Sequence, residues 1–209
     1  MSDQEIIDIV QKNVESPTIS TDTGLEAARQ IGDVAAAEDV EWAIAGGVAM
    51  YLYGSPRLTK DVDLIASSSI SLKEEAPLTF GGSNYTLAVG KYKVSVDWIV
   101  RNDGYAKYYQ KALSEAVSFP NGFRLISPEW LLILKMFAGR QKDYDDAVFL
   151  LKEKGLIVRP KIKENIVAVA GEDAWLATIA NFRRLCSLAD GKIDEPSKYF
   201  AEDASQSAD

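Results

Sequence analysis

Asp61 and Asp63 stand one residue apart in "TKDVDLIAS", where apolar strand formers alternate with the acids. On a strand, side chains two apart share a face and lie about 6.5 to 7 Å from each other. A third acid, Asp97, sits in "KVSVDWIV", whose alternation puts Val94, Val96, Trp98 and Val100 on one face and Ser95, Asp97 and Ile99 on the other. Three like charges on neighbouring strands repel one another unless cations sit between them. Hard divalent ions with oxygen ligands, Mg²⁺ or in its place Mn²⁺, are the natural guests, and carboxylates so spaced can hold two of them about 3.5 to 4 Å apart. Such a pair clamps the attacking and leaving oxygens of an in-line phosphoryl displacement, with a nucleotide triphosphate completing the ligand set. Upstream, Gly46 and Gly47 separate an apolar run from a helical one, where missing side chains let backbone N–H groups approach phosphate. Each feature alone has a plainer reading: a solvated strand face for the aspartates and a tight strand-to-helix turn for the glycines. Asp103 is a rival third carboxylate, but it follows the strand.

The elements that must position these residues are short. "EWAIAGG" reads as a buried strand, "GVAMYLYG" as a helix closed by Gly54, and "DVDLIA" as a second strand. "NYTLAVGKYKVSVDWIV" reads as a hairpin turning near Gly90. Helical spacing marks two segments before the core, with Ile6, Ile7, Ile9 and Val10 on the first and "DTGLEAARQIGDVAAAEDV" as the second. After the hairpin come "YAKYYQKALSEA", "SPEWLLILKMFAGR", "KDYDDAVFLLKEKG" and "DAWLATIANFRRLCSLAD", all with helical periodicity. The expected fold is α+β: a small mixed sheet with N-terminal helices and a helical C-terminal part. The expected boundaries are 1–40 for the N-terminal helical segment, 41–125 for the core, 126–190 for the helical part and 191–209 for an acidic flexible tail.

Composition narrows the chemistry. The chain of 209 residues is 47% hydrophobic, enough for a real core, and contains no histidine, which removes imidazole triads, HExxH zinc sites and imidazole acid–base catalysis. One cysteine, Cys186, permits no intrachain disulfide and no thiolate zinc cluster. No apolar window is long enough to span a membrane, and the acidic N-terminus lacks a signal-peptide pattern, so the expected setting is cytoplasmic. The net charge of -8 resides at the ends: residues 41–189 hold sixteen acids against nineteen bases. That middle segment tolerates an anionic substrate. Trp42, Trp98, Trp130 and Trp175, and the tyrosines 105, 108 and 109, read as packing residues, and "VRPKIKENIV" reads as a solvated basic face.

Taken together, "AGGVAMYLYGSPRLTKDVDLI" resembles the signature of the polymerase-beta-type nucleotidyltransferase superfamily, in which a Gly-Gly or Gly-Ser turn precedes an Asp-x-Asp strand. The "RLTKD" segment is closest to its AbiEii-like branch, which includes type IV toxin nucleotidyltransferases. "LKMFAGRQKDYDDAVFL" resembles that branch's later motif through Lys135, Ala138, Arg140, Asp143 and Asp146, and the joint match covers residues 42–151. The resemblance implies that Asp61, Asp63 and Asp97 are metal ligands, with Asp97 also able to take the acceptor's proton. It implies that Gly46, Gly47, Thr59, Lys60, Lys135, Arg140 and Lys142 bind the nucleotide. It further implies Mg²⁺ as cofactor, an NTP as substrate, and an RNA end, small molecule or protein hydroxyl as acceptor, with a cognate antitoxin as partner if the chain is a toxin. The alternative is a non-catalytic nucleotide-binding or interaction protein that retains the fold. Lys135 interrupts the run "LLILKMF", so its amine must either reach water or meet an anion. The later aspartates can equally be a salt-bridge arrangement with Lys142.

Overall fold

The computed structural model of the chain describes residues 19–119 and 122–193. The expected helix carrying Ile6 to Val10 and the acidic tail from residue 194 onward lie outside the described residues. The chain divides into two compact units between Leu134 and Lys135.

In the first unit, α1 (Thr21–Ala37) starts where the Ser20 hydroxyl oxygen accepts the Thr23 N–H at 3.2 Å, satisfying an amide that the helix itself leaves without an acceptor. Its apolar stripe, Ala27, Ala28, Ile31 and Ala35, is buried. There follow β1 (Trp42–Ile44), α2 (Gly46–Leu52), β2 (Asp61–Ala66), β3 (Ala76–Pro77), β4 (Gly82–Val89), β5 (Tyr92–Ile99), α3 (Ala106–Ser114), β6 (Val117–Ser118) and β7 (Arg124–Leu125). The strands form one mixed sheet in the order β3-β4-β5-β2-β1-β7-β6. β2 runs parallel to β5, and β1 parallel to β7, while the remaining pairs are antiparallel. The fold class is therefore α+β, as the sequence predicts.

Alternation along the central strands decides what each face holds. Val62, Leu64, Val94, Val96 and Trp98 are buried on one face, against which α1 packs. Trp98 lies 6.5 Å from Trp42 between ring centroids, and its Nε1 donates to the Ser68 carbonyl at 2.9 Å, so the core's largest side chain leaves no orphan donor. The other face carries Asp61, Asp63, Ser95 and Asp97, all half-buried. The hairpin turns at Gly90 as expected, and Ile99 is buried rather than half-open.

α4 (Pro128–Ala138) crosses the division and is buried along the whole run Trp130–Met136. The second unit adds α5 (Gln141–Lys152) and α6 (Arg159–Ala189), which bends at Gly171 (φ 82°) into two arms whose ends meet through Arg159 and Asp190, 2.5 Å apart. "VRPKIKENIV" is the start of α6, with Ile162 and Ile166 buried one helical turn apart. The sequence reading took it as a charged face and missed this apolar stripe. Among the described residues no helix is long and apolar enough to cross a membrane.

Candidate functional site

The two carboxylate-bearing strands are brought side by side in register. Asp63 of β2 is the partner of Asp97 on β5, and Asp61 is the partner of Ser95. Because the pairing is parallel, all three acids stand on one face within two residues of each other along the strands. A polar group fixes each. The Thr59 hydroxyl lies 2.8 Å from Asp61 Oδ1, the Gly47 N–H donates to Asp63 Oδ2 at 3.3 Å, and Asn84 Nδ2 donates to Asp97 Oδ1 at 2.6 Å. Asn84 also donates to Ser95 Oγ at 2.8 Å. Burial pushes the Asp97 carboxyl above its usual range, the Asn84 bond partly counters this, and the nearby Asp61 charge adds to the rise. The two acids feel each other across the strand pair.

The glycines work through this cluster. Gly46 has φ +55°, a left-handed conformation that favours glycine, and a Cβ there would lie 1.7 Å from Asp63 Oδ2. A Cβ on Gly47 would lie 2.5 Å from Thr59 Oγ1. The Gly46–Gly47 turn thus lies directly on the Asp-x-Asp strand, with the Gly47 amide turned to Asp63. On the sequence alone that amide is a phosphate donor; in the fold it orients a carboxylate.

The donor set has the right chemistry for a hard divalent ion, being three oxygen acids on one face with mutual repulsion to relieve. It is not a closed cage. Among the described residues, no group of three His, Cys, Asp or Glu is gathered closely enough to hold a metal ion. Mg²⁺ commonly binds through one or two carboxylates, with water and substrate phosphates supplying the rest, and the arrangement fits a site of that open kind.

Beside the carboxylates, α3 packs on β2. Tyr108 is buried at 7% exposure, in keeping with the packing role expected for it, but Tyr105 is 40% exposed and Tyr109 half-buried. Both rings face Arg101, whose guanidinium carbon lies 5.4 Å and 5.0 Å from their centroids and 4.7 Å from that of Phe80. Arg101 also makes a two-pronged pair with Asp103, at 2.9 and 2.8 Å. Asp103 is thereby engaged away from the strand pair, which leaves Asp97 as the third acid on the site face. Sequence reasoning missed Asn84, Arg101 and Tyr109. Only strand register reveals Asn84, which pairs with Asp97, whereas the two others come from a loop and a helix with no shared pattern.

Of the other predicted nucleotide-binding residues, Thr59 joins the carboxylate face and Lys60 is exposed next to Asp61 in the chain. Lys135, Arg140 and Lys142 belong to the second unit. There the Lys135 amine, 7% exposed, lies 3.0 Å from Asp143 and 2.7 Å from Asp146, both of them buried. Arg140 Nε is 2.6 Å from Asp143, and Lys142 is exposed. Burial pushes the Asp143 carboxyl up, but the Arg140 hydrogen bond and the charge and bond of Lys135 outweigh it and hold the group below its usual range. The anion that Lys135 meets is thus a pair of aspartates, and Lys142 is not the partner of that pair's ion bridges described here.

No family model matches the chain, and no curated protein matches it. Among solved structures, it is similar to an antigenic nucleotidyltransferase-like protein from Paracoccidioides brasiliensis, at 18% identity, covering 86% of this chain and 97% of the other with a TM-score of 0.49. A likeness that distant carries no functional argument, and the functional reading rests on the geometry of the carboxylate face.

Proposed function

We propose that the chain is a divalent-metal-dependent nucleotidyltransferase, which moves a nucleoside monophosphate from an NTP to a hydroxyl acceptor and releases pyrophosphate. The single observation that supports this most is the in-register pairing of Asp63 with Asp97, Asp61 beside them, and the Gly46–Gly47 turn seated on Asp63. In this reading Asp61, Asp63 and Asp97 are the ligands of Mg²⁺ or Mn²⁺, and the NTP phosphates complete the ligand set. A bound divalent ion supplies charge neutralisation at the phosphoryl group and orients its oxygens. Thr59 and the Gly47 amide each hold one of these carboxylates in place, Asp61 and Asp63 respectively. Asn84 holds Asp97, and in this reading that half-buried carboxyl, which burial makes a stronger base than an exposed aspartate, receives the acceptor's proton. Gly46, with no side chain, leaves the room that the Asp63 carboxylate occupies beside the turn.

In this proposal Lys135 and Arg140 are assigned to Asp143 and Asp146 rather than to the triphosphate, since buried carboxylates already neutralise them. Lys60, exposed next to Asp61 in the chain, keeps its proposed role toward phosphate, and Lys142, exposed in the second unit, is given no part in this site.

The test is incubation of the full chain with Mg²⁺ and each α-labelled NTP in turn, in total RNA, protein and metabolite fractions. Label should enter one fraction and should fail to do so with Asp61→Asn/Asp63→Asn. Label in the RNA fraction would agree with the toxin-like resemblance, whereas label in a small molecule or protein would place the chain with other transferases. NTP binding without transfer in any fraction would favour the non-catalytic alternative.

A further inference from the structure

Tyr109 is the polar group on the carboxylate side of α3 for which the reading above has no use. Its oxygen accepts a hydrogen bond from Arg101 Nη1 at 3.3 Å. Arg101 is itself held from two directions, by the two-pronged bond to Asp103 and by the faces of Phe80, Tyr105 and Tyr109, so the cation behind the phenol is immobilised. A phenol that accepts at its oxygen still has one hydrogen to donate. Among the described residues that hydrogen has no acceptor. Burial keeps the phenol protonated, Arg101 works against this, and Asp63, the next contributor, supports it, which sets Tyr109 within electrostatic reach of the proposed metal-binding strand. Asp103 is the remaining charged group facing it. A half-buried phenol bonded to a fixed guanidinium, on the helix that packs on β2, is a donor for an oxygen that arrives with the substrate.

We propose that Tyr109 binds the substrate directly, its hydroxyl donating to a phosphate oxygen of the NTP held at Asp61 and Asp63, with Arg101 as the positioning residue behind it. This rests on the nucleotidyltransferase reading and extends it: the substrate must carry phosphate oxygens that reach α3 as well as β2, which selects a nucleoside triphosphate over a nucleoside monophosphate. Arg101 is already neutralised by Asp103, so its contribution is to polarise and orient the phenol rather than to bind phosphate itself.

The test is Tyr109→Phe in the full chain, which keeps the ring against Arg101 and removes only the oxygen. With Ca²⁺ in place of Mg²⁺ to slow turnover, calorimetric titration with each NTP and its NMP should show NTP affinity about tenfold weaker than wild type and NMP affinity nearly unchanged. The melting temperature without nucleotide should stay within about 1 °C of wild type. In turnover, KM should rise about tenfold with kcat within about twofold, the mark of a contact made already in the bound ground state. Arg101→Lys, which keeps the charge but loses the fork and the stacking, should weaken NTP binding in wild type and have little further effect in Tyr109→Phe. Wild-type affinity in Tyr109→Phe would overturn this inference while leaving the nucleotidyltransferase reading intact. A wild-type chain that binds no NTP at all would overturn both.

Discussion

Among the described residues two clusters of aspartates stand out, and they differ in what holds their charge. In the second unit Asp143 and Asp146 are buried, and the bonds that hold them run to cations, Lys135 and Arg140. In the first unit Asp61, Asp63 and Asp97 stand half-buried on a sheet face, and the bonds described above come from neutral dipoles: a hydroxyl, a backbone amide and an asparagine. The acidity follows the partners. Asp143 is held below its ordinary range despite full burial, whereas Asp97 is pushed above its own. A cluster that carries its own counter-ions has a role in folding. In the first cluster no cation is among the bonds described above, and burial, with the Asp61 charge adding to it, raises Asp97, which is why the proposed reading brings a cation there.

The sharpest way to break this contrast is to remove the cation from the second cluster. Lys135→Met takes the amine from two buried carboxylates, and we expect a loss of about 3 to 5 kcal/mol in urea unfolding of the full chain, because breaking a buried pair leaves desolvated charge behind. A loss below about 1 kcal/mol would mean that water reaches these acids. The same reasoning applied to the first cluster predicts the opposite pattern. Asp61→Asn/Asp63→Asn should abolish divalent-dependent transfer, by about 10³-fold or more in kcat/KM, with little change in stability. A variant that transfers normally would remove these residues from the mechanism.

Acid separates the clusters further. A carboxyl whose folded pKa lies below its unfolded pKa contributes stability that is present above the unfolded pKa, near pH 4, and is lost as the pH falls through the folded one. Asp143 is of this kind, so the stability difference between wild type and Asp143→Asn, followed by urea unfolding from pH 7 to pH 2, should be largest at neutral pH and shrink below about pH 4. A difference that stays constant across that range would show that the lysine and arginine do not hold the charge. The smallest effect is expected at Asp97. Without divalent ions at pH 7, Asp97→Asn removes a desolvated charge while retaining the shape, and its melting temperature should rise by about 1 to 3 °C. A fall would mean that the Asn84 bond outweighs burial.

Much of the first cluster was legible in the sequence, because Asp61, Asp63 and the two glycines are close along the chain and their meaning is local. Asp97 was legible through alternation in the hairpin, which fixed its face before any register was known. Asn84 was not, since its place opposite Asp97 depends on where the hairpin turns and on every residue between. The second cluster was half-legible. The apolar run around Lys135 announced that its amine must either reach water or meet an anion, but choosing between them required knowing how the chain turns at Gly139, with φ +68°, to bring Asp143 and Asp146 to it. The two-residue strands β3, β6 and β7 escaped because two residues carry no period, and the first arm of α6 escaped because its lysines and arginine concealed the spacing of Ile162 and Ile166.

In the proposed function the first cluster is an open site completed by the phosphates of its substrate. Thermal melts of wild type and of Asp61→Asn/Asp63→Asn with Mg²⁺ alone, NTP alone and the two together test it most directly, since a ligand that binds only the folded state raises stability by RT ln(1 + [L]/Kd). Wild type should rise little with Mg²⁺ alone and by about 2 to 4 °C or more with Mg²⁺ and its NTP at a hundred times Kd, and the double variant should not respond. An equal rise in the double variant, or no rise in wild type with any of the four NTPs, would contradict it.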